Sequence, residues 1–112
     1  MRLLRGGETF MNTLMVIKHI EKKMVIVKYF NNEDEAITWW RNLPISEECE
    51  ILYLKERKPN GHRHELLYAK YDERGILYSK YIICFSKKEA LHLKNIIEKI
   101  NQHYIIQIKK LY

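Results

Sequence analysis

The chain has 112 residues, 46% hydrophobic and 30% charged, with a formal net charge of +6. That length and hydrophobic share exclude a disordered polar chain and predict one domain that buries a core without disulfide staples. The positive charge permits attraction to nucleic acid or to an acidic protein surface, and requires neither.

Two cysteines, Cys49 and Cys84, are too few for a disulfide framework and point to a reducing, cytoplasmic setting. No apolar run has the length of a membrane span, and "MRLLRGGETF" is too short and too weakly apolar for a secretory signal. Ile, Lys, Asn and Tyr are abundant, and all four use A/T-rich codons. This bias suggests a low-G+C bacterium, or one of its phages or mobile elements.

Residues 1–10 read as a flexible tail or as a translated ribosome-binding site. Gly6, Gly7 and Glu8 can be encoded by GGA-GGU-GAA, which would make Met11 the natural start. Either way the fold is expected to occupy residues 11–112 as a single domain.

"TLMVIKHIEKKMVIVKYF" holds two β-rich apolar runs around "IEKK", so a hairpin is predicted with strands at 13–19 and 23–30. A single helix across the first run is the competing reading. "NNEDEAITWWRNLP" has a helix signature: Asn32 caps, Glu35 follows three residues later, and acidic residues fill the first turn. Ala36, Ile37, Trp40 and Leu43 then share one face, and Pro44 ends the run.

Three strands are predicted next, at 50–57, 64–71 and 76–85, as a meander joined by "KPNG" and "DERG". "SKKEALHLKNIIEKINQ" (86–102) is a second helix, with Ser86 and Glu89 as a capping box and Ala90, Leu93, Ile97 and Ile100 on one face, widened by Ile96. "YIIQIKKL" (104–111) is a last strand.

"KYFNNEDEAITWW" and "ICFSKKEALHLKN" echo each other: strand, polar cap, two residues, Glu-Ala, helix. The element order is β-βαβ-β-βαβ. The expected fold class is therefore α+β: a mainly antiparallel sheet of five to six strands with two helices on one face, similar to the split βαβ arrangement.

Period-two alternation in the meander proposes a functional face. If Leu52, Leu54, Leu67, Ala69, Tyr81, Ile83 and Phe85 face the helices, the opposite face carries Tyr53, Lys55, Tyr68, Lys70, Tyr78 and Lys80. Tyr rings stack on bases and Lys pairs with phosphate, so this face suits nucleic acid. It equally suits a protein interface, where Tyr is enriched, or a plain solvated sheet surface. The aromatic-rich motif of RNA-recognition domains is absent. Trp39 cannot share the inner helix face with Trp40, and is either flanking packing or an anchor for a partner.

Other chemistries find little support. His62 and His64 in "HRHE" have a spacing that metals use, but no further ligand stands at a diagnostic distance, so no metal and no cofactor is expected. Glu33, Asp34 and Glu35 are explained by capping. Cys49 and Cys84 lack a local partner that would activate a thiol. No catalytic residue is assigned. The expectation is a non-enzymatic binding or regulatory protein acting on another protein, such as a phage or mobile-element accessory or inhibitor. The alternative is a nucleic-acid-binding domain using the Tyr/Lys face. A homodimer is also expected, through a sheet edge or the Tyr-bearing face; basic charge opposes face-to-face packing and favours the edge formed by "YIIQIKKL".

Overall fold

The computed structural model of the protein describes residues 12–58 and 62–111. The expected tail at 1–10, and residues 59–61 of the predicted "KPNG" turn, lie outside the described residues. The chain divides into two compact units, Met1–Lys58 and Pro59–Tyr112.

In the first unit, strand β1 (Thr13–His19) forms a hairpin with β2 (Met24–Phe30), helix α1 (Glu33–Arg41) follows, and β3 (Cys49–Glu56) returns after a single 3-10 turn at Ser46–Glu48. The β-branched runs settle Thr13–His19 and Met24–Phe30 as strands rather than helix. Residues 20–23 close the hairpin: Lys23 N–H donates to the His19 carbonyl at 2.8 Å, with Lys23 at φ 52, a left-handed conformation costly for a side chain. His19 Nδ1 accepts the Lys22 N–H at 3.2 Å, so its Nε2 carries the hydrogen that faces Glu48, 3.5 Å away.

The sheet order is β2-β1-β3, antiparallel throughout (sheet A). β2 and β3 therefore run parallel to each other with β1 between them. A parallel pair needs a crossover longer than a hairpin, and α1 supplies it. The result is the split βαβ unit anticipated from the sequence. Asn32 Oδ1 accepts the Glu35 N–H at 2.9 Å, and Glu35 Oε2 accepts the Asn31 N–H at 3.3 Å. Both capping partners were legible in the chain.

The second unit repeats this plan. Strand β4 (His64–Tyr71), β5 (Leu77–Cys84), helix α2 (Lys87–Ile100) and β6 (Ile105–Lys110) form an antiparallel sheet in the order β5-β4-β6 (sheet B). Ser86 Oγ accepts the Glu89 N–H at 3.0 Å, and Glu89 Oε1 accepts the Phe85 N–H at 3.1 Å. The β4–β5 turn rests on Asp72, whose Oδ1 accepts from Arg74 and Ile76 N–H at 2.8 Å each. Gly75 takes φ +80 there, as a type I turn with a bulge requires.

The α+β class, the antiparallel pairing and the six strands match the expectation. The strands are shared between two sheets of three instead of lying in one. The predicted meander is corrected accordingly: β3 pairs with β1, while β4 pairs with β5 and β6. The crossover through α1 delivers β3 to the free side of β1, so β1 is paired on both sides within its own unit.

Under α1 the core is Met15, Ile17, Phe30, Ala36 and Cys49, with Ile37, Trp39, Trp40, Leu43, Ile51 and Leu54 packed around it. A register shift between Val16 and Ile17 makes a bulge opposite. It brings Ile51 and Leu54, three residues apart, onto the same face and removes Leu52 from the alternation that predicted it. In the second unit Ala90, Leu93, Ile97 and Ile100 of α2 are buried, as are Leu66, Tyr68, Ile82 and Cys84 of the sheet. Tyr104 meets Tyr68 edge-on, with ring centroids 5.5 Å apart.

Candidate functional site

The helix side of sheet B is fixed by the strand register. His64, Leu66 and Tyr68 alternate toward α2, paired with Cys84, Ile82 and Lys80 on β5 and with Lys110, Ile108 and Ile106 on β6. This reverses the face assignment made from the alternation. Tyr68, predicted to be an exposed binding residue, has no exposed surface. Lys70, Tyr78 and Lys80 share its side of the sheet. Tyr78 is 39% exposed, Lys70 is half-buried, and Lys80 is exposed. Tyr53, half-buried, and Lys55, exposed, belong to sheet A. The six Tyr/Lys residues therefore do not form one platform within either unit.

The reason for the reversal is local. β4 and β5 are apolar at both parities: Leu66, Tyr68, Ile82 and Cys84 compete with Leu67, Ala69, Tyr81 and Ile83. Alternation alone does not choose between them. The first set carries the bulky Tyr68, which fills the space against Tyr104 below the helix.

The second set faces away from α2. Its rows follow from the register: Leu77 beside Tyr71; Ser79, Ala69 and Ile105 across the three strands; Tyr81, Leu67 and Gln107 across them again. Ile83, Glu65 and Lys109 close the far end. Tyr71 is 60% exposed, Ile105 57%, Tyr81 56% and Leu77 51%. Scattered exposed apolar residues are ordinary, but these four share one continuous sheet face. A three-stranded face of this length spans roughly 14 Å by 26 Å. Within its paired rows the charged residues are Glu65 and its register neighbour Lys109, so these rows are close to neutral on a chain of net charge +6. Of this face the sequence singles out Leu67, Ala69, Tyr81 and Ile83, and as helix-facing core rather than as a contact surface. The usable signal was the pair of apolar parities in β4 and β5, which requires one set to be left outside a single-helix core.

Trp39 packs against the first unit's core, 5.5 Å from the Phe30 ring, with Lys28 Nζ 4.8 Å from its centroid. It is flanking packing. Both cysteines are free and buried. Burial raises the Cys49 thiol above its ordinary pKa, and the nearby Glu48 carboxylate adds to the effect. Among the described residues, no group of three His, Cys, Asp or Glu is placed to hold a metal ion, so His62 and His64 stand without a third such ligand. No helix among the described residues is long and apolar enough to cross a membrane. β6 lies at an edge of sheet B, the position expected for "YIIQIKKL".

No family model, curated protein or solved structure matches this chain.

Proposed function

We propose that this chain is a non-enzymatic binding protein that acts through protein–protein contacts, and that the helix-distal face of sheet B is its contact surface. The observation that carries this reading is the shared exposure of Tyr71, Leu77, Tyr81 and Ile105 on one face. Tyr is an effective interface residue because it offers a large rigid surface with a polar tip at low entropic cost.

The charge of the face selects the partner. A nucleic acid or an acidic protein calls for clustered Lys or Arg, and this face offers one acid and one base. The matching occupant is a different protein that presents an apolar, weakly charged patch. The burial of Tyr68 weighs against base stacking on the Tyr/Lys set. A regulator or inhibitor from a phage or mobile element, working in the cytoplasm of an A/T-rich host, fits the composition and the two buried thiols.

Affinity capture from such a host tests this with wild-type, Tyr81→Asp and Leu77→Asp baits, at low and high salt and with nuclease. A partner that survives salt and nuclease and is lost with either variant supports the reading. A partner retained by both variants, or one released by nuclease, overturns it.

A further inference from the structure

A second feature lies on the helix side of sheet B, away from the face just described. The first turn of α2 and the ends of β4 and β6 surround a pocket of about 540 Å³ lined by His62, His64, Lys87, Leu91, Ile108 and Lys110. Lys87 and Leu91 are four residues apart on α2 and so share a helix face. His64 pairs with Lys110, and its neighbour two positions on, Leu66, pairs with Ile108.

Among the described residues, all the polar side chains lining this pocket are bases, and no carboxylate lines it. The nearest acid in the chain order of α2, Glu89, is turned to the Phe85 N–H at 3.1 Å. Lys87 and Lys110 bring two positive charges to the pocket lining, which favours an anion there. His64 Nδ1 lies 3.1 Å from the His62 carbonyl oxygen, which can only accept. That nitrogen therefore carries a hydrogen, and Nε2 is the ring nitrogen not committed to the backbone. Leu91 and Ile108 add an apolar wall, and the volume falls in the range of small-molecule sites.

We propose that this pocket binds a small organic phosphate, with Lys87, Lys110 and His64 holding the phosphoryl group and Leu91 and Ile108 meeting the organic part. A phosphate monoester suits it better than a carboxylate, because it brings close to two negative charges and three acceptor oxygens to several donors at once. A cation is disfavoured by the two lysines. The site is independent of the protein-binding face, since the two lie on opposite sides of the sheet.

The test is amide NMR of the full chain titrated with phenyl phosphate, inorganic phosphate, benzoate and phenol at constant ionic strength. Phenyl phosphate is expected to give saturable shifts centred on His64, Leu91 and Ile108. Inorganic phosphate and benzoate should bind more weakly at the same residues, and phenol should not saturate. The Lys87→Gln/Lys110→Gln double variant, with its spectrum otherwise unchanged, should weaken phenyl phosphate by about tenfold or more. Shifts that fail to saturate by about 10 mM, shifts spread over the whole basic surface, or unchanged affinity in the double variant would overturn the proposal.

Discussion

The two units are the same plan carried out with different means. Each is a hairpin, a helix and a returning strand, with the first strand in the middle of the sheet. Each helix is capped by a polar residue that binds the N–H of a Glu three positions later. The next residue, Ala36 in one and Ala90 in the other, has no exposed surface. The Glu-Ala echo in the sequence thus marks one structural position used twice: the Glu closes the cap, and the Ala lets the helix approach its sheet.

The units part company in what covers the sheet. α1 has nine residues and only Ala36 fully buried, so the two half-buried tryptophans complete its core. α2 has fourteen residues and buries four. On the helix-distal side the contrast reverses. Leu14, Val16, Val25 and Val27 of sheet A are exposed by 4% or less, whereas Tyr71, Leu77, Tyr81 and Ile105 of sheet B are exposed by half or more. The same scaffold thus leaves large apolar side chains exposed on one copy of a face that is buried at these positions in the other.

The strongest way to break this comparison is to exchange the two sides of sheet B. Tyr68→Ala removes a fully buried ring and should cost about 3–5 kcal/mol in denaturant melts, as large aromatic truncations do. Tyr81→Ala on the opposite face should stay within about 0.5 kcal/mol of wild type. The reverse order would show that the helix covers the other parity.

The equivalence of Ala36 and Ala90 predicts a matched pair. Ala36→Leu and Ala90→Leu each force a helix off its sheet, and each should destabilise by about 1–3 kcal/mol. If only one responds, the units do not share that position. The caps give a finer comparison: Asn32→Ala and Ser86→Ala should each cost about 1 kcal/mol, since each leaves a helix N–H without its acceptor.

The smallest effect is at Cys49, which the second unit does not reproduce. Its raised pKa means that the folded state holds the thiol proton at pH values where the unfolded chain has lost it. Stability from this source is present below the thiol's ordinary pKa and falls as pH rises past it. Native Cys49 should therefore react slowly with alkylating reagents, and Glu48→Gln should speed the reaction by removing the nearby negative charge. Equal rates in both proteins would exclude that charge effect.

Much of this was readable from the chain. Strands at 13–19 and 64–71 were placed to the residue, and the others to within one or two positions. Caps and helix faces followed because Asn32, Glu35, Ser86 and Glu89 act over three residues, within reach of local reasoning. Strand partners did not follow. β3 could pair with its neighbour in the chain or cross over to β1, and local propensity is the same for both. The bulge beside Leu52 was also hidden, because it arises from the partner strand's register. The face of sheet B was misread for a simpler reason: β4 and β5 are apolar on both sides, and only the helix above them decides which side is core. The basic pocket was hidden because Lys87 and Lys110 meet the histidines only after folding.

The central claim, that sheet B presents its Tyr81 face to a partner and keeps its Tyr68 face in the core, is tested most directly by oxidative footprinting of the tyrosines, free and with the captured partner. The account predicts strong labelling of Tyr71 and Tyr81 in the free chain, none at Tyr68 and Tyr104, and protection of Tyr71 and Tyr81 when the partner binds. Labelling of Tyr68 in the free chain, or Tyr81 labelled equally with and without the partner, would contradict it.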